Sequence, residues 1–238
     1  MPQVLLFDID GTLIKPGDPI HQQALLDAVR TVYQVEASLE GIPLGGMLDS
    51  QIVRLTLEKY DVPASDIRSG LTETMSIMGK RYGELLDGGE RRSWLLPGVV
   101  ELLSRLNGER VLSVLTGNAS GVARAKLSAA GIDHYFPHGA YGDSADHRYE
   151  LVAVAIDRVT HTTGETFQET DVVLIGDTPR DIEAARESGA KVLAVATGRY
   201  SVDDLAEHDP DIVFEDLSET ERVLHELNAM ADSPRGAR

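Results

Sequence analysis

The sequence predicts a doubly wound α/β protein on a parallel sheet, with a helical domain inserted after the first strand. Three observations predict it. The apolar runs Val4–Phe7, Val111–Leu115, Val172–Ile175, Val192–Ala196 and Ile212–Phe214 lack polar alternation, as strands covered on both faces do. Helix-length segments, Gly98–Leu106, Ser120–Ala130, Arg148–His161, Pro179–Ser188 and Glu219–Met230, lie between and after the later runs, and such alternation builds a parallel layer. The interval from Lys15 to Ser93 breaks that rhythm and holds only helical patterns.

Taken in order, the first run is strand-like and ends in Asp8-Ile9-Asp10-Gly11-Thr12. Pro16-Gly17 and Pro19 then mark entry to the helical patterns Ile20–Val32, Ser50–Lys59 and Ile67–Leu86, and Asp87-Gly88-Gly89 and Pro97-Gly98 mark exit. An interval of this length far exceeds an ordinary βα loop. The expected organisation is an α/β core of residues 1–14 and 94–230 around a helical insert of residues 15–93. Residues 231–238 (ADSPRGAR) are small and polar and are read as a disordered tail.

Composition narrows the function. The chain has 238 residues, 42% hydrophobic and 26% charged, enough to bury a core without disulfides or structural metal. It has no cysteine, which excludes thiolate nucleophiles, cysteine-ligated zinc and iron–sulfur clusters. Its net charge of −17 repels nucleic acid and anionic membranes. No apolar run suggests a membrane span or signal peptide, so the expectation is a soluble cytoplasmic protein. The phosphate-loop, dinucleotide and nucleophile-elbow motifs are absent.

In open α/β sheets, ligands bind beyond the carboxyl ends of the strands. The segments that follow the first three runs are therefore the informative ones. Asp8 and Asp10 are two apart just past a strand, and can supply a nucleophile and a separate acid/base. Gly11 permits a sharp turn beside them. Thr116 offers a hydroxyl, and the backbone N–H groups of Gly117 and Asn118, entering a helix, suit phosphoryl oxygens. Asp177 adds a carboxylate. Acids clustered at one edge repel one another unless a hard cation sits among them, and Mg²⁺ fits such a set.

At these residues the chain resembles the haloacid dehalogenase superfamily of phosphohydrolases. Asp8–Leu13 (DIDGTL) resembles its first motif, Leu115–Asn118 (LTGN) its second and Ile175–Asp181 (IGDTPRD) its fourth. The resemblance covers nearly the whole chain, with a Rossmann-like core and the insert as a C1-type cap, and is phosphoglycolate phosphatase-like. It implies that Asp8 forms an aspartyl-phosphate and that Asp10 protonates the leaving alcohol and then activates water. It implies that Thr116, Gly117 and Asn118 hold the phosphoryl group, and that Asp8, Asp177 and the backbone carbonyl of Asp10 ligate Mg²⁺. Asp181 would orient that site or bind the metal through water. An acid at position 10 favours phosphate esters over halides. Gly46 and Asp49, in Gly45–Asp49, would belong to the cap's specificity loop, unless they form an ordinary glycine turn with a helix N-cap. Thr197-Gly198 is a candidate for the pocket's edge.

The family's lysine before the fourth motif has no Lys-Pro counterpart. Arg148, at a loop-to-helix junction, is the preferred active-site cation, and Lys126 is read as part of a solvated helix face. The histidines are read as surface or loop residues. The expected function is a Mg²⁺-dependent phosphatase of a small phosphorylated metabolite, with phosphoglycolate or a sugar phosphate as leading substrates. A sugar phosphomutase and a non-catalytic phospho-ligand-binding scaffold are the alternatives.

Overall fold

The computed structural model describes residues 3–232. Its sheet has six parallel strands in the order β3-β2-β1-β4-β5-β6, with β1 Val4–Phe7, β2 Val111–Leu115, β3 His138–Ala140, β4 Val172–Gly176, β5 Lys191–Val195 and β6 Ile212–Phe214. Every strand pair is parallel. The expected strands are present. β3 is an addition, too short and too poor in apolar residues to register as a run.

Side chains alternate across a strand, and here both faces are apolar. Leu5, Phe7, Leu112, Val114, Val173 and Ile175 pack under α4 (Val99–Leu106), α5 (Ser120–Ala130) and α9 (Thr220–Asp232). Val4, Leu6, Leu115, Val172 and Leu174 pack under α6 (Glu150–Thr163) and α7 (Pro179–Ser188). Burial on both faces explains why the strand sequences run apolar without alternation. The short α8 (Val202–Ala206) was not legible as a helix. Ala231 and Asp232 finish α9 instead of starting a tail, and residues 233–238 lie outside the described residues.

Between β1 and α4 run α1 (Pro19–Tyr33), α2 (Asp49–Glu58) and α3 (Ala64–Leu86). Their inward residues, among them Leu25, Val29, Val53, Leu57, Met78 and Tyr82, form an apolar cluster separate from those on the sheet, joined by Ala119 and Val122 at α5. Asp18 starts α1 as its N-cap: one carboxylate oxygen accepts the Ile20 N–H at 3.0 Å and the other accepts the Tyr82 hydroxyl at 2.7 Å. That anchoring fixes the first helical turn, which carries His21.

Candidate active site

β1 lies between β2 and β4, so the loops after these three strands meet at one edge. Asp8 continues the ladder, its N–H donating to Ile175 O at 2.9 Å. The chain then turns through Gly11, whose φ is +90°. A β-carbon there would lie 2.2 Å from an oxygen of Asp177. Glycine thus lets the first and fourth loops close on each other.

Asp8, Asp177 and Asp181 are buried, and each offers an oxygen within 4.8 Å of the others. Arg148 spans the group. Its Nη2 lies 3.3 Å from Asp8 Oδ2 and 2.6 Å from Asp181 Oδ1, and its Nε donates to the same Asp181 oxygen at 3.1 Å. The other oxygen of Asp181 accepts the Thr178 N–H at 3.0 Å and hydroxyl at 2.7 Å, within the capping box that opens α7. Both oxygens of Asp181 are therefore taken, whereas among the described residues Asp177 accepts only the Thr12 hydroxyl, at 3.2 Å.

This grouping sets the electrostatics. Burial pushes the Asp8 carboxyl up to about 6, with Asp181 and Asp10 adding to the rise and Arg148 offsetting it. Burial, then Asp181 and Asp8, raise Asp177 well above the carboxylate range. Burial alone would lower Arg148, but the carboxylates of Asp181 and Asp8 outweigh it and hold its guanidinium charged. Three buried carboxylates face one guanidinium. The imbalance and the all-oxygen donor set fit a hard divalent cation such as Mg²⁺.

The sequence grouped Asp10 with Asp8 and Asp177, but the Asp10 carboxylate turns instead to Lys126. Lys126 does not lie on a solvated face: it is 1% exposed. Its Nζ donates to the two Asp10 oxygens at 2.7 and 2.6 Å and to Asn118 Oδ1 at 2.8 Å. Of the two basic residues on this helix, Arg124 is the exposed one. Burial would raise the Asp10 carboxyl, yet Lys126 and His21 together with hydrogen bonds from Lys126 and Asn118 hold it below its ordinary value. His21 is likewise not a surface residue. Its Nδ1 is 3.2 Å from Lys126 Nζ and its Nε2 is 3.0 Å from Asp49 Oδ2.

The loop after β2 closes the other side. Asn118 Nδ2 donates to Thr116 Oγ1 at 2.6 Å and to Asp10 Oδ2 at 2.8 Å, tying this loop to the first. Gly117 O accepts the Asp49 N–H at 2.8 Å, and a β-carbon on Gly117 would lie 2.0 Å from Met47 O. Gly46 O accepts from Arg148 at 3.4 Å and Gly45 O from Arg180. The insert's Gly45–Asp49 loop thus rests directly on the edge of the sheet.

Asp8, Asp10, Thr116, Gly117, Asn118, Arg148, Asp177, Gly46 and Asp49 all line one cavity of about 790 Å³, with Asp181 fully buried against Arg148. Lys126 and His21 line it too, and were missed as site residues. Thr197 and Gly198 are at its edge: the Thr197 hydroxyl donates to Gly11 O, and Gly198 lies against Asp177. The signal for Lys126 was present in the periodicity. Val122, Ala123, Lys126, Leu127 and Ala130 recur on one stripe of α5, and that stripe is buried.

A family model described as HAD-hydrolase-like matches residues 149–220. The protein named "Probable phosphatase IndB" of Dickeya dadantii is 26% identical, over 98% of each chain. A phosphoglycolate phosphatase of Nitrosococcus oceani is 23% identical over 94% of this chain and 96% of its own. The crystal structure of a β-phosphoglucomutase from Clostridium difficile superposes with a TM-score of 0.69 at 17% identity, covering 96% of this chain and 98% of that one. With the parallel sheet and its acidic edge, these findings make the chain similar to haloacid dehalogenase-like phosphohydrolases, through the family model over residues 149–220 and through curated phosphatases over nearly its whole length.

Proposed function

We propose that the protein is a phosphatase that hydrolyses small phosphorylated metabolites by way of an aspartyl-phosphate on Asp8, with Mg²⁺ as cofactor. The observation that carries this reading is the meeting of Asp8, Arg148 and Asp177 with the Thr116–Asn118 loop in one cavity. A carboxylate oxygen of Asp8 attacks phosphorus, the phosphorus–oxygen ester bond breaks, and Asp10 gives a proton to the departing alkoxide. Water then attacks phosphorus, Asp10 accepts its proton, and the Asp8–phosphorus bond breaks to release phosphate. Arg148 neutralises phosphoryl charge and orients Asp8, while the Thr116 hydroxyl and the Gly117 and Asn118 N–H groups hold the equatorial oxygens.

Asp8 and Asp177, with the Asp10 backbone carbonyl, would hold Mg²⁺. Asp181, its oxygens already taken, acts by fixing Arg148 and the start of α7. When bound, the ion supplies neutralising charge to the phosphoryl oxygens and to the carboxylates around it. Residues 15–93 serve as a cap over a core of residues 1–14 and 94–230. This division is supported by the insert's own apolar cluster and by the seating of its Gly45–Asp49 loop on the core. Gly46 and Asp49 then face the leaving group.

The test is phosphate release from a panel of phosphorylated metabolites with and without Mg²⁺. Stoichiometric phosphate under excess substrate is expected. Isomerised sugar phosphate without release would make the protein a mutase, and binding without turnover would make it a scaffold.

A further inference from the structure

If phosphoryl transfer occurs at Asp8, the leaving group extends toward the insert, and the insert's wall then states what it accepts. Asp49 opens α2 and is 2% exposed. Its Oδ2 accepts the Ala119 N–H at 2.7 Å and faces His21 Nε2 at 3.0 Å. Its Oδ1 has no hydrogen-bond donor among the described residues, although Asp49 lines the cavity.

The basic group of the insert that faces this carboxylate is His21, and it is shared: its Nε2 is 3.0 Å from Asp49 Oδ2, while its Nδ1 is 3.2 Å from the Lys126 ammonium on Asp10. No lysine or arginine of the insert lines the cavity, and Asp18 adds a second carboxylate there. The rest of that wall is largely apolar, with Leu25, Leu39, Leu44, Met47 and Ile52. The arginines at the rim belong to the core. Arg180 is engaged by the Gly45 carbonyl, and Arg199 is solvent-exposed, where its field is screened.

We infer that the substrate is a phosphate monoester of an uncharged, hydroxyl-bearing alcohol with an apolar face, and that Asp49 Oδ1 takes a hydrogen bond from it. Leaving groups that carry a carboxylate are selected against. The inference rests on the phosphatase reading and narrows it. A carboxylate oxygen on the cavity wall that takes no donor from the protein is free to accept one from the substrate. A hydroxyl supplies it; a carboxylate brings a like charge beside Asp49 and Asp18, on a wall with no lysine or arginine. The apolar residues suit the carbon face of a sugar-sized alcohol, and the cavity of about 790 Å³ exceeds what a two-carbon acid fills.

The test uses the full chain with Mg²⁺ and compares fructose 1-phosphate and ribose 5-phosphate with phosphoglycolate and 2-phosphoglycerate. Phenyl phosphate reports turnover as such. The best neutral ester is expected to exceed either carboxylate ester in kcat/KM by at least ~30-fold, the discrimination available to a site built around a substrate hydroxyl. In Asp49→Asn the amide oxygen can still accept from Ala119, while an NH₂ replaces the free carboxylate oxygen, so that ratio should fall at least ~10-fold. Leu44→Lys places a cation on the same wall and should raise phosphoglycolate turnover. It decides the matter should Asp49→Asn fail to fold. A parent enzyme that prefers phosphoglycolate, or a ratio unmoved by a folded variant, overturns this inference and leaves the phosphatase reading standing. No release from any ester overturns both.

Discussion

Lys126 Nζ reaches both carboxylate oxygens of Asp10, at 2.7 and 2.6 Å, from a helix whose sequence looks like an ordinary amphipathic surface. Arg148, meanwhile, lies 3.3 Å from Asp8. Each carboxylate proposed to act in the reaction thus has a buried cation of its own. The expectation of a solvated Lys126 does not survive this geometry.

Lys126→Met should therefore lower kcat at least ~100-fold while KM changes little, since the lysine holds Asp10 and is not placed on the phosphoryl group. Arg148→Ala should lower kcat/KM by at least ~100-fold, the usual worth of a preorganised charge on a transferring phosphoryl group. Steady-state kinetics of the two folded proteins decide it. Parent-like turnover in Lys126→Met would return Lys126 to a purely structural role.

Asp8→Asn should abolish turnover without disturbing the fold, because one carboxylate oxygen is exchanged for an amide of the same shape. Activity above a few per cent of parent, in protein made free of parent enzyme, would refute the covalent route.

Metal and pH should be linked. The carboxyl of Asp8 is raised to about 6 in the folded protein, and Asp177 is raised as well, both chiefly by burial. A raised carboxyl favours the folded state while protonated, so the metal-free protein should lose this contribution as pH climbs from about 4 through 6. Asp10 is shifted the other way, and its contribution is kept above the ordinary carboxylate range and lost on acidification. A cation that binds the ionised carboxylates should restore what the first two lose. The rise in Tm on adding Mg²⁺ should be larger at pH 7.5 than at pH 5, and equal rises at the two would contradict the assignment of Asp8 and Asp177 to the metal.

Gly117→Ala should weaken both stability and catalysis. The added methyl group would lie 2.0 Å from Met47 O, and the Gly45–Asp49 loop must lift to admit it. A loss of about 1–3 kcal/mol is expected from such overpacking. KM should rise as the insert separates from the edge of the sheet. Denaturant titration and kinetics of the one variant test both effects.

What the sequence made legible follows from how strongly each feature is written in local pattern. The strands β1, β2 and β4 are apolar because both faces are covered, and the acids that follow them could be read straight off. β3 was illegible because three residues, His-Gly-Ala, carry no hydrophobic pattern, and its place is fixed by pairing with β2. Arg148 was found from its junction between a loop and a helix. His21 was missed because its role depends on α1 meeting α5 through residues more than a hundred positions away. Lys126 was misjudged for a different reason: charge was given more weight than its position on a buried stripe, and nothing local announces the Asp10 partner that makes burial tolerable.

The central place of β1 also governs how the molecule comes into being. Val4 pairs with Val111 on one side and with Val172 on the other, so the first of these six strands to be made is among the last to be enclosed. Asp8 is made well before Asp177 and Asp181, which lie more than 160 positions further along. A nascent or truncated product ending before residue 172 holds the nucleophile without the acids across from it, and has an open β1 edge that invites other chains. Catalytic competence therefore arrives late and all at once, and C-terminal truncation should yield an aggregating, inactive fragment rather than a weakened enzyme.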